Sequence, residues 1–295
     1  MMTSASASSL RQWVLIGGLL LTLGGATVGM LAAAERERPA GVRALELAYL
    51  PNGEYLRIAV LGYRQIASDL IWLKCVQYFG ERKQTVQGWL WAYHATDVVT
   101  DLDPKFIFAY QAGGTVLGMW AGRPHESIAL LTKGMRHNPD AWQLPFFVGY
   151  DYFFELHDSE NAAKYFRIAA TLPGAPDYLP KLAARMTVEA GDPQAALEFL
   201  QRLYVQTQDE RLREGLAHRM KEVVAERDIR FLEEGMRRYK MRYKKWPARL
   251  EDLVRGGIIA ELPVEPLGGA YIIEGSGGTV KSTGLRERLR VHRKG

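Results

Sequence analysis

Residues of the types needed to bind a phosphate group lie near the C-terminal end of the chain, between Gly275 and Ser282. Phosphate-binding loops follow the pattern Gly-x-x-x-x-Gly-Lys-Ser/Thr, in which backbone N–H groups surround the phosphate and the lysine contacts it. Lys281 and Ser282 fit the end of this pattern, but Val280 replaces the second glycine and only thirteen residues follow Ser282. The strand and helix that hold such a loop are not predicted around it, so the segment indicates no nucleotide cofactor.

The sequence also lacks the common patterns of catalytic and metal-binding residues. Its six histidines are scattered, and neither His-Glu-x-x-His, Gly-x-Ser-x-Gly nor Cys-x-x-Cys occurs. Cys75, the only cysteine, excludes an internal disulfide and falls on the predicted core face of a helix. The acidic residues Asp97, Asp101 and Asp103 before Pro104 are typical of a solvated helix end. We predict no catalytic residue, no metal site and no cofactor, and a catalytic pair assembled from distant positions stays an alternative.

The elements along the chain repeat with a period of about 34 residues between Trp72 and Met220. Small residues recur at one place in each unit, with gaps of 35, 35 and 33 residues, namely Ala92, Ser127, Ala162 and Ala195. Four positions later three units carry a large apolar residue, and two units end in proline: Leu131, Phe166, Phe199, Pro104 and Pro139. A small residue lets two helices approach closely, a large residue one turn later fills the groove, and proline ends the helix. The pattern predicts paired helices, with a non-repeating helical bundle as the alternative.

This pattern resembles the tetratricopeptide repeat, whose helical pairs stack into a solenoid. The resemblance covers roughly half of the chain and implies about four helical pairs within residues 41–215. It also implies a concave groove, lined by the first helix of each pair, that binds a peptide or helix segment of another protein. The residues that the resemblance places along this groove are Tyr110, Gln111, Phe147, Asp151, Lys181 and Arg185.

A charged helix is predicted from Arg211 to Lys245, where it would cap the solenoid. Trp246 and Pro247 then begin a turn and a short helix, and two short strands flank Gly275–Gly278 as a β-hairpin. This order resembles the C-terminal part of type II secretion pseudopilins over roughly the last 60 residues. The resemblance implies a small structural module at the end of a segment comprising residues 216–295.

Positive charge is concentrated at this C-terminal end. Residues 237–295 contain 14 Lys/Arg and 6 Asp/Glu, whereas the whole chain has a net charge of +5. Such a patch attracts phosphates, so anionic lipid is a candidate partner at the basic C-terminus. No nucleic-acid-binding signature accompanies the patch, and nucleic acid is not an expected partner. A solvated helix face with a frayed basic tail is the alternative interpretation.

Residues 12–34 contain no charged side chain, and an apolar run of this length is typical of a helix that crosses a bilayer. Arg11 precedes the run, and Trp13 lies near its start as at a membrane interface. A cleavable signal peptide is the alternative, since Ala32–Ala34 provides a small-residue cleavage site. We predict a retained anchor and linker over residues 1–40. It would make the chain a single-pass inner membrane protein whose main domain lies outside the cytoplasm.

These features together predict a mainly α-helical protein with an N-terminal transmembrane helix, a solenoid and a small C-terminal helix and hairpin module. The predicted function is that of a membrane-anchored scaffold that binds other proteins in the bacterial cell envelope. Such a scaffold would act in assembling a complex such as a pilus or a secretion system. Two alternatives stay open: an integral structural subunit of a membrane complex, and an envelope enzyme with a cryptic site.

Overall fold

The computed structural model describes residues 17–18, 21–27, 29–30, 50–81, 84–275 and 278–289, and these residues are mainly helical. After a short helix α1 (Gly53–Ala59), the chain forms consecutive helical pairs that pack on one another. The pairs are α2 (Arg64–Phe79) with α3 (Val86–Leu102), α4 (Ile107–Thr115) with α5 (Pro124–His137), α6 (Gln143–Tyr150) with α7 (Ser159–Thr171), and α8 (Leu179–Glu189) with α9 (Pro193–Gln206). The helical solenoid predicted from the repeat is therefore present, and its assignment to the tetratricopeptide family stays a prediction.

The small residues of the repeat lie where the helices approach most closely. Ala92, Ser127 and Ala162 are fully buried on the second helices of the first three pairs. In the fourth pair the buried small residue is Ala196, one position after the predicted Ala195. Asp and Thr side chains begin several of these helices by accepting a backbone N–H at the N-terminus, as Asp158 does from Asn161.

Two of the first helices end in a π-helical turn at the same place in the repeat. The turns are Val116–Trp120 after α4 and Asp151–Glu155 after α6. Each contains a backbone hydrogen bond that spans five residues, with N···O distances of 3.0 Å for Ala121 to Val116 and for Leu156 to Asp151. Because a π-turn accommodates one extra residue within a helix, it explains why these two repeats are 35 residues long.

A long helix α10 (Glu210–Tyr243) covers the last pair and continues into the C-terminal module. It runs across the boundary predicted at residue 215. The module consists of α11 (Glu251–Arg255) and an antiparallel hairpin of β1 (Tyr271–Glu274) and β2 (Thr279–Ser282). Its core packs the second half of α10 against the short helix and the hairpin, through Ile229, Leu232, Met236, Leu253, Ile259, Val280 and Leu285.

The predicted N-terminal transmembrane helix is wrong. Within the residues that the structure describes, no helix is both long enough and apolar enough to cross a membrane. Of the predicted span 12–34, the structure describes residues 17–18, 21–27 and 29–30, of which 21–27 is the longest run. Glycines at 24 and 25 lower the helix propensity of this run. The remainder of the span lies outside the described residues.

The predicted location, a single-pass protein of the inner membrane, is therefore also wrong. A single-pass inner membrane protein with an exported main domain requires a membrane-spanning helix, and the described part of the chain contains none. The sequence pattern overestimated the span because hydropathy alone counts glycine as apolar, whereas glycine also disfavours the helical backbone that a spanning segment needs.

Candidate functional site

The first helices of the second, third and fourth pairs repeat one pattern of burial every 35 residues. Their buried faces contain equivalent small residues, Gly114, Gly149 and Ala184. The partly exposed positions beside them recur at the same places in each pair, and we term these positions together the first-helix face. Its members are Phe108, Gln111, Ala112, Thr115 and Met119 from α4 and its π-turn, Gln143, Phe146, Phe147, Tyr150 and Phe154 from α6 and its π-turn, and Tyr178, Lys181, Leu182, Arg185 and Glu189 at α8.

The six residues predicted to line a groove divide into two groups. Those with partly exposed side chains are members of the first-helix face: Gln111, Phe147, Lys181 and Arg185. Tyr110 and Asp151 are instead buried in the core, at positions equivalent to buried residues of the neighbouring repeats. The Tyr110 hydroxyl lies 3.5 Å from Thr100 O, and burial raises its pKa to about 12. These two side chains support the face from beneath.

The middle of the first-helix face is aromatic. The rings of Tyr150 and Phe154 have centroids 4.5 Å apart, and Phe154 remains half exposed. Phe147 contacts Phe146 edge to face, at a centroid distance of 5.4 Å. Met119 takes the position equivalent to Phe154 in the preceding repeat and is also exposed. Aromatic rings held in place by other rings offer contact area at a small entropic cost, which suits them to binding a partner.

The end of this face at α8 is charged and is covered by other parts of the chain. Arg185 forms an ion pair with Glu287, with Nη2 and Oε1 3.5 Å apart. The aliphatic end of Lys181 lies against α10, so close to Gly215 that a Cβ there would be 3.3 Å from Lys181 Cε. A bound segment would therefore reach the α4 and α6 parts of the face more readily than the α8 part.

Asp151 connects the third pair to the second beneath this face. Ser127 Oγ on α5 lies 2.5 Å from Asp151 Oδ2 and 2.9 Å from Gly114 O. Burial raises the pKa of Asp151 to about 7, against the effect of the Ser127 hydrogen bond. A serine bonded to a carboxyl occurs in hydrolytic sites, but here both residues are buried and Gly118 lies against the carboxyl. The arrangement fits packing between repeats, since neither oxygen faces solvent.

The acidic cluster near Pro104 also joins neighbouring repeats. Lys133 Nζ on α5 lies 2.6 Å from Asp97 Oδ1 and 2.6 Å from Asp101 Oδ1 on α3. Lys133 thus neutralises carboxylates that the sequence suggested were solvated. Among the described residues, no group of three or more His, Cys, Asp or Glu side chains could hold a metal ion. Burial raises the pKa of the Cys75 thiol to about 12, which leaves it protonated.

The described part of the basic C-terminal tail is ordered by a buried ion network that the sequence did not indicate. Arg288 donates from Nε and Nη2 to both carboxylate oxygens of Glu226, at 2.7 and 2.9 Å, and from Nη1 to Glu233 at 3.0 Å. Burial alone would raise the pKa of Glu226, but Arg288 and Arg230 hold it below its ordinary value. Leu289 packs into the core of the last two pairs. The positive charge of Arg288 thus serves the fold.

The chain matches no protein-family model, no curated protein and no solved structure. The resemblances to tetratricopeptide repeats and to pseudopilins therefore stay predictions, and the functional proposal depends on the geometry of the first-helix face.

Proposed function

We propose that this protein is a scaffold that binds other proteins, and that its first-helix face holds a segment of the bound partner. The observation that supports the proposal is the 35-residue repetition of burial along α4, α6 and α8, which puts equivalent side chains at equal depth in adjacent pairs. A surface with this regularity suits an extended or helical segment, because the partner can contact one pair after another.

The composition of the face indicates the chemistry of the partner. Phe108, Met119, Tyr150 and Phe154 expose apolar surface, while Gln111 and Thr115 between them offer hydrogen-bonding groups. A segment with apolar side chains at regular spacing and polar groups between them would complement this arrangement. Aromatic residues and methionine are enriched at protein interfaces, and the few residues that dominate the binding energy are often aromatic.

A selection experiment tests this proposal directly. A displayed peptide library would be enriched on the full chain, and the dissociation constants of the enriched peptides would be measured by fluorescence polarisation. Substituting Phe154→Ser or Met119→Ser should weaken binding by at least about tenfold, because each change removes an anchor from the face. Val264→Ser is the matched control, since Val264 is exposed in the C-terminal connector, far along the chain from the face.

The affinities of the enriched peptides for the face variants and for the control variant distinguish the two outcomes. Peptides that lose affinity for the two face variants and keep it for the control support the proposal. If no peptide is enriched, or if the enriched peptides bind all variants equally, the first-helix face does not hold a partner segment.

A further inference from the structure

Helix α2 carries an apolar stripe on the side that faces away from the core. Its inner side buries Ser68, Trp72, Cys75 and Tyr78 against α3 and its surroundings. On its outer side four large side chains at and after the N-terminus of the helix remain 69%, 56%, 59% and 57% exposed, namely Tyr63, Ile66, Leu70 and Leu73. With Gln77 these positions follow the spacing 3, 4, 3, 4, which is the a and d pattern of a coiled coil.

The position of α2 in the solenoid makes this stripe unusual. The other end of the stack is covered by α10, which presents many charged residues to solvent. Terminal elements of a solenoid need a polar outer surface to stay soluble. At the α2 end the described residues present an apolar surface instead, and Tyr55, Ile58 and Leu61 of α1 and the following turn extend it. An apolar patch of this extent marks an interaction surface.

The charges beside the stripe indicate what covers it. Asp69 directly precedes Leu70 and Lys74 directly follows Leu73, so they occupy the flanking g and e positions, and both are exposed. In a parallel pair of helices, a g residue faces the e residue five positions later in the partner. Asp69 would therefore face Lys74 of a second copy, twice by symmetry. In an antiparallel pair g faces g and e faces e, which would oppose like charges.

We propose that the chain forms a parallel dimer through α2, with its apolar stripe packed on the same stripe of a second copy. α2 alone supplies about two heptads. The exposed side chains of α1 and the turn that follows it would add apolar area beside this seam. The symmetric arrangement buries the uncovered end of each solenoid and leaves the first-helix faces of both copies to bind partners.

Charge exchange tests both the interface and its orientation. In sedimentation equilibrium of the full chain, Asp69→Lys and Lys74→Asp should each weaken dimerisation by about tenfold, since each creates two like-charge pairs. An equimolar mixture of the two variants should form a heterodimer as tight as the wild-type dimer. In that heterodimer the introduced lysine of one copy faces the introduced aspartate of the other, and the unchanged Asp69 and Lys74 also face each other. The Asp69→Lys/Lys74→Asp double variant should also dimerise like the wild type.

Disulfide crosslinking provides a second readout. In the parallel dimer Gln77→Cys should form an intermolecular disulfide on mild oxidation, because both copies bring this position to the same end of the seam. An antiparallel pair centred on Leu70 would separate the two cysteines by about 21 Å. The native Cys75 is buried and does not compete. Val205→Cys is the control, since Val205 is also exposed but lies on α9.

A monomeric wild-type chain would overturn the proposal, as would self-association that is insensitive to the charge variants, which would indicate contact through another segment. Self-association without the Gln77→Cys crosslink would also overturn it. A heterodimer formed by Asp69→Lys with the wild type, at the expense of the wild-type homodimer, would indicate antiparallel pairing and would contradict it too.

Discussion

Ser127 Oγ lies 2.5 Å from Asp151 Oδ2, although the two residues belong to different helical pairs. The same hydroxyl lies 2.9 Å from Gly114 O, and a hydroxyl has only one proton to donate. Both contacts are hydrogen bonds when the carboxyl is protonated, so that Asp151 donates to Ser127 and Ser127 donates to Gly114. Burial raises the pKa of Asp151 to about 7, so the protonated carboxyl is the main form below that pH. Below about pH 7 a neutral acid thus connects α4, α5 and the π-turn after α6.

This connection predicts that stability falls as the pH rises through the acidic range. The unfolded carboxyl ionises near its ordinary pKa of 3.8, whereas burial in the folded chain raises the pKa to about 7. Between these values the folded state binds more protons, so the free energy of unfolding declines with pH and levels off above about pH 7. The decline is on the order of 4 kcal/mol. Asp151→Asn keeps the shape and the donor, and it should remove this contribution.

Urea unfolding of both proteins at several pH values measures the effect. Asp151→Asn should match the wild type near pH 4 and exceed its stability near pH 8. Glu160→Gln replaces an exposed acid on α7 and should leave the wild-type slope in place. If wild type and Asp151→Asn show the same pH slope, the carboxyl is ionised in the fold and the proton assignment is wrong.

Gly118 makes a second prediction about the same contact. A methyl group at this position would overlap Asp151 Oδ1, because the π-turn after α4 lies directly against the carboxyl. Gly118→Ala should therefore destabilise the protein by roughly 1–3 kcal/mol, although alanine is otherwise the better helix former. Gly80→Ala is the control, since its Cβ would approach other atoms no closer than 3.6 Å. Chemical denaturation would compare the two, and an equal or higher stability of Gly118→Ala would contradict the packing.

The repeat was predictable because each unit must bury the same face, which leaves a periodic record in the sequence. Ala92, Ser127 and Ala162 are buried as their spacing predicted, and the helical pairs follow from them. Among the predicted groove residues, Gln111, Phe147, Lys181 and Arg185 also lie on the partly exposed positions of the first helices. Periodicity determines which side of a helix a residue takes, and this part of the surface follows from it.

Contacts between distant residues were not predictable. Asp151 seemed exposed because an isolated acid is costly to bury, and its partner Ser127 lies 24 positions away on another helix. Arg288 seemed part of a frayed tail, and its partner Glu226 is 62 positions away. In the sequence, each π-turn is visible only as one extra residue in the repeat. The apolar run at 12–34 led to the opposite kind of error. Its composition predicted a membrane-spanning helix, and the described residues contain none.

Replacing Arg288 should strongly destabilise the C-terminal module. Arg288→Met would leave Glu226 fully buried without its two strongest hydrogen bonds, and Glu233 would lose one as well. Removing one member of a buried ion network costs roughly 3–5 kcal/mol, because the remaining charge stays desolvated. Arg286→Met, at an exposed position two residues earlier, should change stability by less than about 0.5 kcal/mol.

Thermal unfolding with an added Glu226→Gln substitution tests the cause of this loss. The Arg288→Met/Glu226→Gln double variant should recover part of the stability, because the buried charge is gone. If the double variant is less stable than Arg288→Met by the full cost of a second mutation, then Arg288 acts through packing and the ion network contributes little.

Replacing Lys244 at the end of α10 with glycine should stabilise the protein. This residue has a φ of +59° and its N–H donates to Lys240 O at 2.8 Å, so it closes the helix in the left-handed conformation that glycine usually takes. A non-glycine residue in this conformation costs roughly 1–2 kcal/mol in the folded state. Part of this cost is offset because the backbone of lysine has a lower entropy than that of glycine in the unfolded chain. Lys244→Gly should therefore raise the free energy of unfolding by about 1 kcal/mol. Lys245→Gly, whose backbone is not left-handed, should lower it by about 0.5 kcal/mol. Urea denaturation at neutral pH should show changes of opposite sign in the free energy of unfolding for these adjacent substitutions. If both variants lose stability, the Lys244 side chain contributes more to this helix end than its backbone conformation costs.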